Sequence, residues 1–416
     1  MNASGLSQVR VELDTAEHGP ALPIGTLRRV AAAPESIIAF AYSDAWLARA
    51  DAFVIDPMHG LYAGDQYPRA GFQVAPIFSD ASPDRWGRTL LERREAVLAR
   101  EEGRARRPLG EWEFLLGVGD RGRMGGLRFR DADGRYLDDA APTVPPMAAL
   151  TQLQSAAREL ERPARSQSAE ARALALLLAP GSSLGGARPK ATFVDEAGAL
   201  WLAKFPSRSD TRDMAGCEWV LNELAARSGI DVPEHRLLRL GRTGRTFAAR
   251  RFDRAAGRRR LYASAMTMLS RRDREEAGYP EIALAIADHG ARGHIDDELA
   301  QLFRRVVFNV LTAHRDDHLR NHGFLYTADG WRLSPAFDLN PMPEKSEHEL
   351  SLDGAVHTGD VDLVVETAPF YRLTTAAARS IVAEVRAAVS SWKRLATAAR
   401  LGADELAVLS AAIESH

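Results

Sequence analysis

The stretch His314-Arg315-Asp316-Asp317-His318-Leu319-Arg320-Asn321 constrains this chain more than any other. It follows the apolar run FRRVVFNVLTA, and Asp297 to Ala313 reads as a buried helix. After it come HGFLY (His322 to Tyr326) and WRLSP (Trp331 to Pro335), separated by the turn signal Thr327-Ala328-Asp329-Gly330. Two β-like runs around such a turn read as a hairpin. Helix, polar loop and hairpin in that order commit this part of the chain to a mixed α+β architecture. The eight residues also satisfy H-R-D-x-x-x-x-N, the pattern of a protein-kinase catalytic loop. The spacing has a chemical reason: an Asp accepts the proton of an attacking hydroxyl, and an Asn five residues later offers a neutral oxygen to Mg²⁺. Two blander readings compete. One is a polar helix end, where His and Arg complement the helix dipole. The other is a metal site, with His314, Asp316, Asp317, His318, Asn321 and His322 all of ligand type.

Other parts fall in a suggestive order. Asp338, just past the hairpin, stands where a kinase places its second metal-binding carboxylate; an Asp before Leu339-Asn340-Pro341 is also an ordinary turn residue. Upstream, Ser182 to Lys190 (SSLGGARPK) is a Gly-rich loop whose backbone N–H groups suit phosphates, and most such loops are only loops. A second hairpin is expected from Ala191 to Val194 and Ala199 to Phe205 around Asp195-Glu196-Ala197-Gly198. Lys204 alternates with Leu202 on its second strand, as a phosphate-binding lysine would. Glu218 opens a helix and is a candidate partner for Lys204, with Glu223 as a rival. Phe247 to Arg254 (FAARRFDR) is placed in chain order as a kinase hinge, or equally as an edge strand with a basic turn.

Composition sets limits on this reading. The 416 residues carry 54 Lys+Arg against 56 Asp+Glu, which argues against a free-standing binder of nucleic acid by phosphate neutralisation. A single cysteine, Cys217, excludes an intrachain disulfide and a cysteine-based zinc cluster, and fits a reducing cytoplasm. Only four of the basic residues are lysine (Lys190, Lys204, Lys345 and Lys393), so two of the four fall in the proposed phosphate-binding elements. The N-terminal MNASGLSQVRVELD indicates no signal peptide, and the most apolar stretch, Ala171 to Pro180, is too short to span a bilayer.

From Val9 to Asp56 short β-like runs alternate with turn residues, suggesting a small antiparallel sheet. Ser79 to Glu101 reads as a helix in which Asp84, after Pro83, caps or opens the first turn. Ala141 to Pro146 is the expected linker. Thr374 to Val389 and Asp404 to Ile413 read as two closing helices.

On these residues the chain resembles the HipA family of bacterial serine/threonine kinases, the toxin halves of HipBA-type toxin–antitoxin systems. Ser183-Leu184-Gly185-Gly186-Ala187-Arg188-Pro189-Lys190 is similar to the family's phosphate loop, and Arg251-Phe252-Asp253-Arg254 to its R-F-D-R hinge. Asp316-x-His318-x-x-Asn321 followed by Ser334-Pro335-x-Phe337-Asp338 resembles its active site. Phe40-Ala41-Tyr42, Trp46-Leu47 and Pro83-Asp84-x-Trp86-Gly87-Arg88 extend the likeness toward the N-terminus. Arg250, where some members carry Glu, and Gly186 with Arg188-Pro189 depart from the family's pattern.

The resemblance implies a two-lobed α+β protein-kinase-like fold: an N-terminal β-rich subdomain at 1–140, an N-lobe at 147–254 and a helical C-lobe at 255–416. It implies ATP and Mg²⁺ as cofactors, Asp316 as base with His318 organising the loop beside it, and Asn321 and Asp338 as metal ligands. Ser183, Leu184, Gly185, Gly186, Ala187 and Lys190 would cover the nucleotide phosphates, Lys204 would contact them, and Arg250, Phe252 and Asp253 would line the hinge. Ser183 would be autophosphorylated, with Ser182 as its neighbour. The implied partners are a HipB-like helix-turn-helix antitoxin, DNA only through that antitoxin, and an aminoacyl-tRNA synthetase as substrate, all in the cytoplasm. Two alternatives stand beside this: a catalytically silent co-repressor acting with the antitoxin, and a metal hydrolase built on His314, Asp316, His318 and His322.

Overall fold

A computed structural model describes residues 6–31, 36–137, 144–162, 166–181, 186–241 and 243–414. The chain forms two compact units, Met1–Arg208 with Asp253–Ala263, and Ser209–Phe252 with Ser264–His416. Each is taken in turn.

The first unit opens with the antiparallel sheet expected from the alternating runs. Strands β1 (Gln8–Thr15), β2 (Gly19–Val30), β3 (Ile37–Tyr42) and β4 (Leu127–Arg130) pair in the order β3-β2-β1-β4. Alternation sends Val9, Val11 and Leu13 into the core. Glu12, on the other face, is held by Arg130 at 2.8 Å and the Tyr136 hydroxyl at 2.9 Å. Gly25 in β2 is required by packing, since a Cβ there would lie 2.6 Å from the Phe40 ring.

The Phe40 ring stacks on His59, centroids 5.2 Å apart, with Phe78 beside them. Burial pushes the His59 imidazole down to about 4. The unfolded chain therefore takes up a proton near pH 6.5 that the folded chain refuses until about pH 4. Protons in that window drive unfolding, by roughly 3 kcal/mol once the pH is below both values. Thermal melts between pH 7 and 4 are expected to show this loss, and His59→Phe to flatten it; an unchanged slope in the variant refutes the assignment.

Helix α1 (Arg85–Glu101) starts where expected: Asp84 is its N-cap, Oδ1 accepting the Gly87 N–H at 2.8 Å. The second oxygen of Asp84 accepts from Lys190 Nζ at 2.8 Å, and Trp86 Nε1 donates to the Lys190 carbonyl at 3.1 Å. Lys190 begins β5 (Lys190–Val194), which pairs with β6 (Leu200–Lys204) in the expected hairpin. Its turn is built by Asp195, whose Oδ1 accepts from the amides of Ala197 and Ala199 while Oδ2 takes the indole N–H of the fully buried Trp201.

Residues 253–263 close the first unit. Asp253 Oδ2 accepts the Gly125 N–H at 2.8 Å. Arg259, 7% exposed, donates to the Asp120 carbonyl at 2.7 Å and to its carboxylate at 3.2 Å. Arg128 grips the same carboxylate at 2.6 Å. Burial alone would raise the Asp120 carboxyl, but the two guanidinium groups hold it below its ordinary range.

In the second unit α2 (Met214–Arg227) is capped by Asp213 through the Gly216 N–H, and β7 (His235–Leu238) pairs with β8 (Thr246–Arg250). Helices α3 (Tyr279–His289) and α4 (Ile295–Leu311) follow. The N-terminal turn of α4 carries Asp296, Asp297 and Glu298, favourable beside the positive end of the helix dipole. Its apolar residues Leu299, Leu302, Phe303, Val306, Val307 and Val310 are fully buried. Next come β9 (Gly323–Thr327) and β10 (Gly330–Leu333), then α5 (Thr375–Val389), α6 (Trp392–Ala398) and α7 (Ala403–Ile413). Among the described residues no helix is long and apolar enough to cross a membrane.

Candidate functional site

The end of α4 sets the geometry of the loop that follows. Thr312 Oγ1 donates back to the Phe308 carbonyl at 2.8 Å, and Ala313 takes a left-handed φ of 46°. A non-glycine residue there pays a steric penalty that the surrounding packing must offset. Beyond the bend, Asp317 turns inward, 2% exposed, and its Oδ2 collects three donors: Tyr279 Oη at 2.6 Å, Asn309 Nδ2 at 2.7 Å and His322 Nε2 at 2.8 Å. These come from α3, from α4 and from the far end of the loop. Burial would push the Asp317 carboxyl up; the charge and hydrogen bond of His322, with His314 and Tyr279, outweigh that and hold it well below the usual carboxylate range. The same surroundings push the Tyr279 hydroxyl up.

The neighbouring Asp316 points the other way, with 46% of its side chain exposed. Its backbone carbonyl accepts from Asn321 Nδ2 at 3.1 Å. Asp316 and Asn321 are thus locked together by one bond, leaving Asn321 Oδ1 and Asp316 Oδ2 without partners among the described residues. The hairpin pairs Phe324 with Leu333 and Thr327 with Gly330, as its turn signal requires. It is fastened to α4 by Arg305, which donates to the Ser334 carbonyl at 2.6 Å and whose guanidinium is pushed down to about 10 by burial. At its end Asp338 adopts a left-handed φ of 61°, and Asn340 Nδ2 donates to its Oδ1 at 3.2 Å. Asp is among the residues that tolerate this conformation.

The segment after Asp338 folds back on the loop. Met342 N–H donates to the Ala313 carbonyl at 2.9 Å, His314 Nδ1 lies 2.9 Å from the Asn340 carbonyl, and Arg315 donates to the Pro343 carbonyl at 3.2 Å and to that of Lys345. Lys345 Nζ in turn bonds Asp316 Oδ1 and, at 2.8 Å, Glu349 Oε1.

His318, expected to organise the loop by hydrogen bonding, contributes its main-chain carbonyl, which accepts the Asn321 N–H at 2.8 Å, while its Nδ1 is buried without a partner among the described residues. Asp317 performs the organising instead. His314 Nδ1 meets the Asn340 carbonyl and His322 Nε2 meets Asp317, while His314 Nε2 and His322 Nδ1 are, like His318 Nδ1, buried without a hydrogen-bond partner among the described residues. Among the described residues no group of three His, Cys, Asp or Glu gathers as a metal site.

The remaining candidates divide between the units. Lys204 ends β6 in the first unit. Lys190, directly opposite it in register, is 2% exposed, its ammonium donating to Asp84 and, at 3.0 Å, to the Gly186 carbonyl. Gly186 and Ala187 are exposed. Ser182, Ser183, Leu184 and Gly185 lie outside the described residues. Asp253 is 1% exposed and engaged with Gly125. In the second unit Arg250 is exposed, Phe252 lies against Phe337 with centroids 5.4 Å apart, and Glu218 is buried on α2. Sequence reasoning named Asp317 only as a possible metal ligand and Lys345 only as one of four lysines. Nothing local distinguishes Asp317 from Asp316; Lys345 was signalled by the scarcity of lysine.

A profile of the HipA-like C-terminal domain matches residues 182–392. No curated protein matches the sequence. Among solved structures, HipA in the Shewanella oneidensis MR-1 toxin–antitoxin complex of HipA, HipB and operator DNA is similar with a TM-score of 0.66. The identity is 15%, over 94% of this chain and 92% of that one. The Helicobacter pylori proinflammatory kinase CtkA matches 50% of this chain and 94% of its own, at 14% identity and a TM-score of 0.34. The first likeness bears on the fold, and the mixed α+β architecture is shared.

Proposed function

Because the chain belongs to the family with a HipA-like C-terminal domain, we propose that it is an ATP- and Mg²⁺-dependent protein serine/threonine kinase of the HipA toxin type. The observation that carries this is the bond between Asn321 and the Asp316 carbonyl, which joins a half-exposed carboxylate to an amide oxygen on one rigid loop. Asp316 Oδ2 accepts the proton of the acceptor hydroxyl as its oxygen forms a bond to the γ-phosphorus. The bond from that phosphorus to the β,γ-bridging oxygen breaks, and ADP departs. Lys204 holds nucleotide phosphates. Asn321 Oδ1 and the Asp338 carboxylate would hold Mg²⁺, a hard cation commonly bound by one or two carboxylates together with substrate phosphates. When bound, the ion supplies charge neutralisation around the phosphates.

The acceptor is proposed to be an aminoacyl-tRNA synthetase, and Ser183 the site of autophosphorylation. A HipB-like antitoxin is the proposed partner, on the ground that the Shewanella oneidensis HipA was found with HipB and operator DNA; contact with DNA would be through that antitoxin. Purified protein incubated with γ-labelled ATP is expected to acquire label only with Mg²⁺. MgATP at about 100 times its dissociation constant is expected to stabilise the fold by about 2.7 kcal/mol, read as a thermal shift. Absence of both label and shift sinks the assignment. Label at Ser182 rather than Ser183 redirects the autophosphorylation site alone.

A further inference from the structure

We propose that Lys345 is a positioning residue for phosphoryl transfer, its ammonium fixing Asp316 Oδ1 so that Oδ2 is the oxygen presented to the acceptor hydroxyl. This rests on the kinase reading above. Lys345 Nζ bonds Oδ1 and is drawn to the same place by Glu349 at 2.8 Å, while Oδ2 has no partner among the described residues. The lysine is not a roaming surface side chain. Its backbone is pinned by the loop it serves: Arg315 donates to its carbonyl and to that of Pro343, and the Glu349 N–H donates to the Arg315 carbonyl at 3.1 Å. Three successive loop residues therefore grip residues 340–349, His314 at Asn340, Arg315 at Pro343 and Lys345, and Asp316 at the Lys345 ammonium.

The choice of lysine, in a chain whose other basic residues are overwhelmingly arginine, follows from the same geometry. A guanidinium fork favours both oxygens of a carboxylate at once, whereas an ammonium is a point charge that takes one. Arginine here would cover Oδ2 and block the oxygen that receives the proton.

The test compares wild type, Lys345→Met and Lys345→Arg in steady-state labelling, with melting temperatures as a folding control. Both variants are expected to lose roughly 10- to 100-fold in kcat, since small displacements of a reacting group have effects of that size. KM for ATP should stay within about twofold, and melting should be unchanged because half-exposed ion pairs contribute little to stability. Wild-type kcat in Lys345→Met, or recovery in Lys345→Arg, overturns the proposal, the latter because a plain counter-charge is then enough. A fall in kcat accompanied by a lower melting temperature in both variants overturns it in favour of a structural role. Failure of the wild type to label defeats the kinase reading and this proposal with it, whereas a labelling wild type with unaffected variants defeats the proposal alone.

Discussion

Asp316→Asn is expected to lower phosphotransfer by about 10²- to 10⁴-fold while leaving the melting temperature unchanged. The two side chains have the same shape, and 46% of the Asp316 side chain is open to solvent, so the fold has little stake in its charge. The loop is anchored through the neighbouring Asp317, and the bond from Asn321 goes to the Asp316 main-chain carbonyl, which the substitution keeps. What is lost is the carboxylate proposed to take the acceptor proton. Labelling under saturating MgATP separates the cases: activity within a few fold of wild type refutes Asp316 as the base. Lys204→Arg is expected to be crippled in the same assay, because a planar guanidinium does not reproduce a compact ammonium among phosphates.

Asp317→Ala is expected to do the opposite, striking stability first. It removes the acceptor shared by Tyr279, Asn309 and His322 and leaves their donors buried. Breaking a buried charge-assisted network by deleting one member costs about 3–5 kcal/mol, or roughly 10 °C in the melting temperature of a unit this size. The effect carries a pH signature. A carboxyl held below its ordinary value in the folded state contributes stability fully above that ordinary value, near pH 4, and loses it as the pH falls through the folded value. The deficit of the variant is therefore full at neutral pH and shrinks toward pH 3. Melts of both proteins at pH 7 and pH 3 check this; a constant difference refutes the charged hub.

These two adjacent aspartates show where sequence reading stops. The helix, the polar loop and the β9–β10 hairpin are legible because their causes are local: an apolar period, a Thr-Ala-Asp-Gly turn, alternation on either side. The β5–β6 hairpin and the Asp84 cap are legible for the same reason, and the two closing helices lie within a residue of their expected ends, although the short α6 between them was not foreseen. Which aspartate faces water is decided by the bend at Ala313 and by Tyr279, 38 residues upstream, so no local signal marks it. Asp253 and Lys190 are similar. Each belongs to a motif that reads as nucleotide-binding, and each has a partner far back in the chain, at Gly125 and Asp84.

The return of residues 253–263 to the first unit has a consequence for the order of events during synthesis. Asp120 is buried against Arg259, which is made 139 residues later. At about 5–20 residues per second, the ribosome delivers that guanidinium roughly 7–28 s after the carboxylate. Through that interval the nascent first unit holds Asp120 with Arg128 alone and lacks the Asp253 carboxylate that receives the Gly125 N–H. Most of its residues have then been translated, but the unit can complete its buried polar cluster only after the whole of its neighbour's first segment, Ser209–Phe252, has also been made.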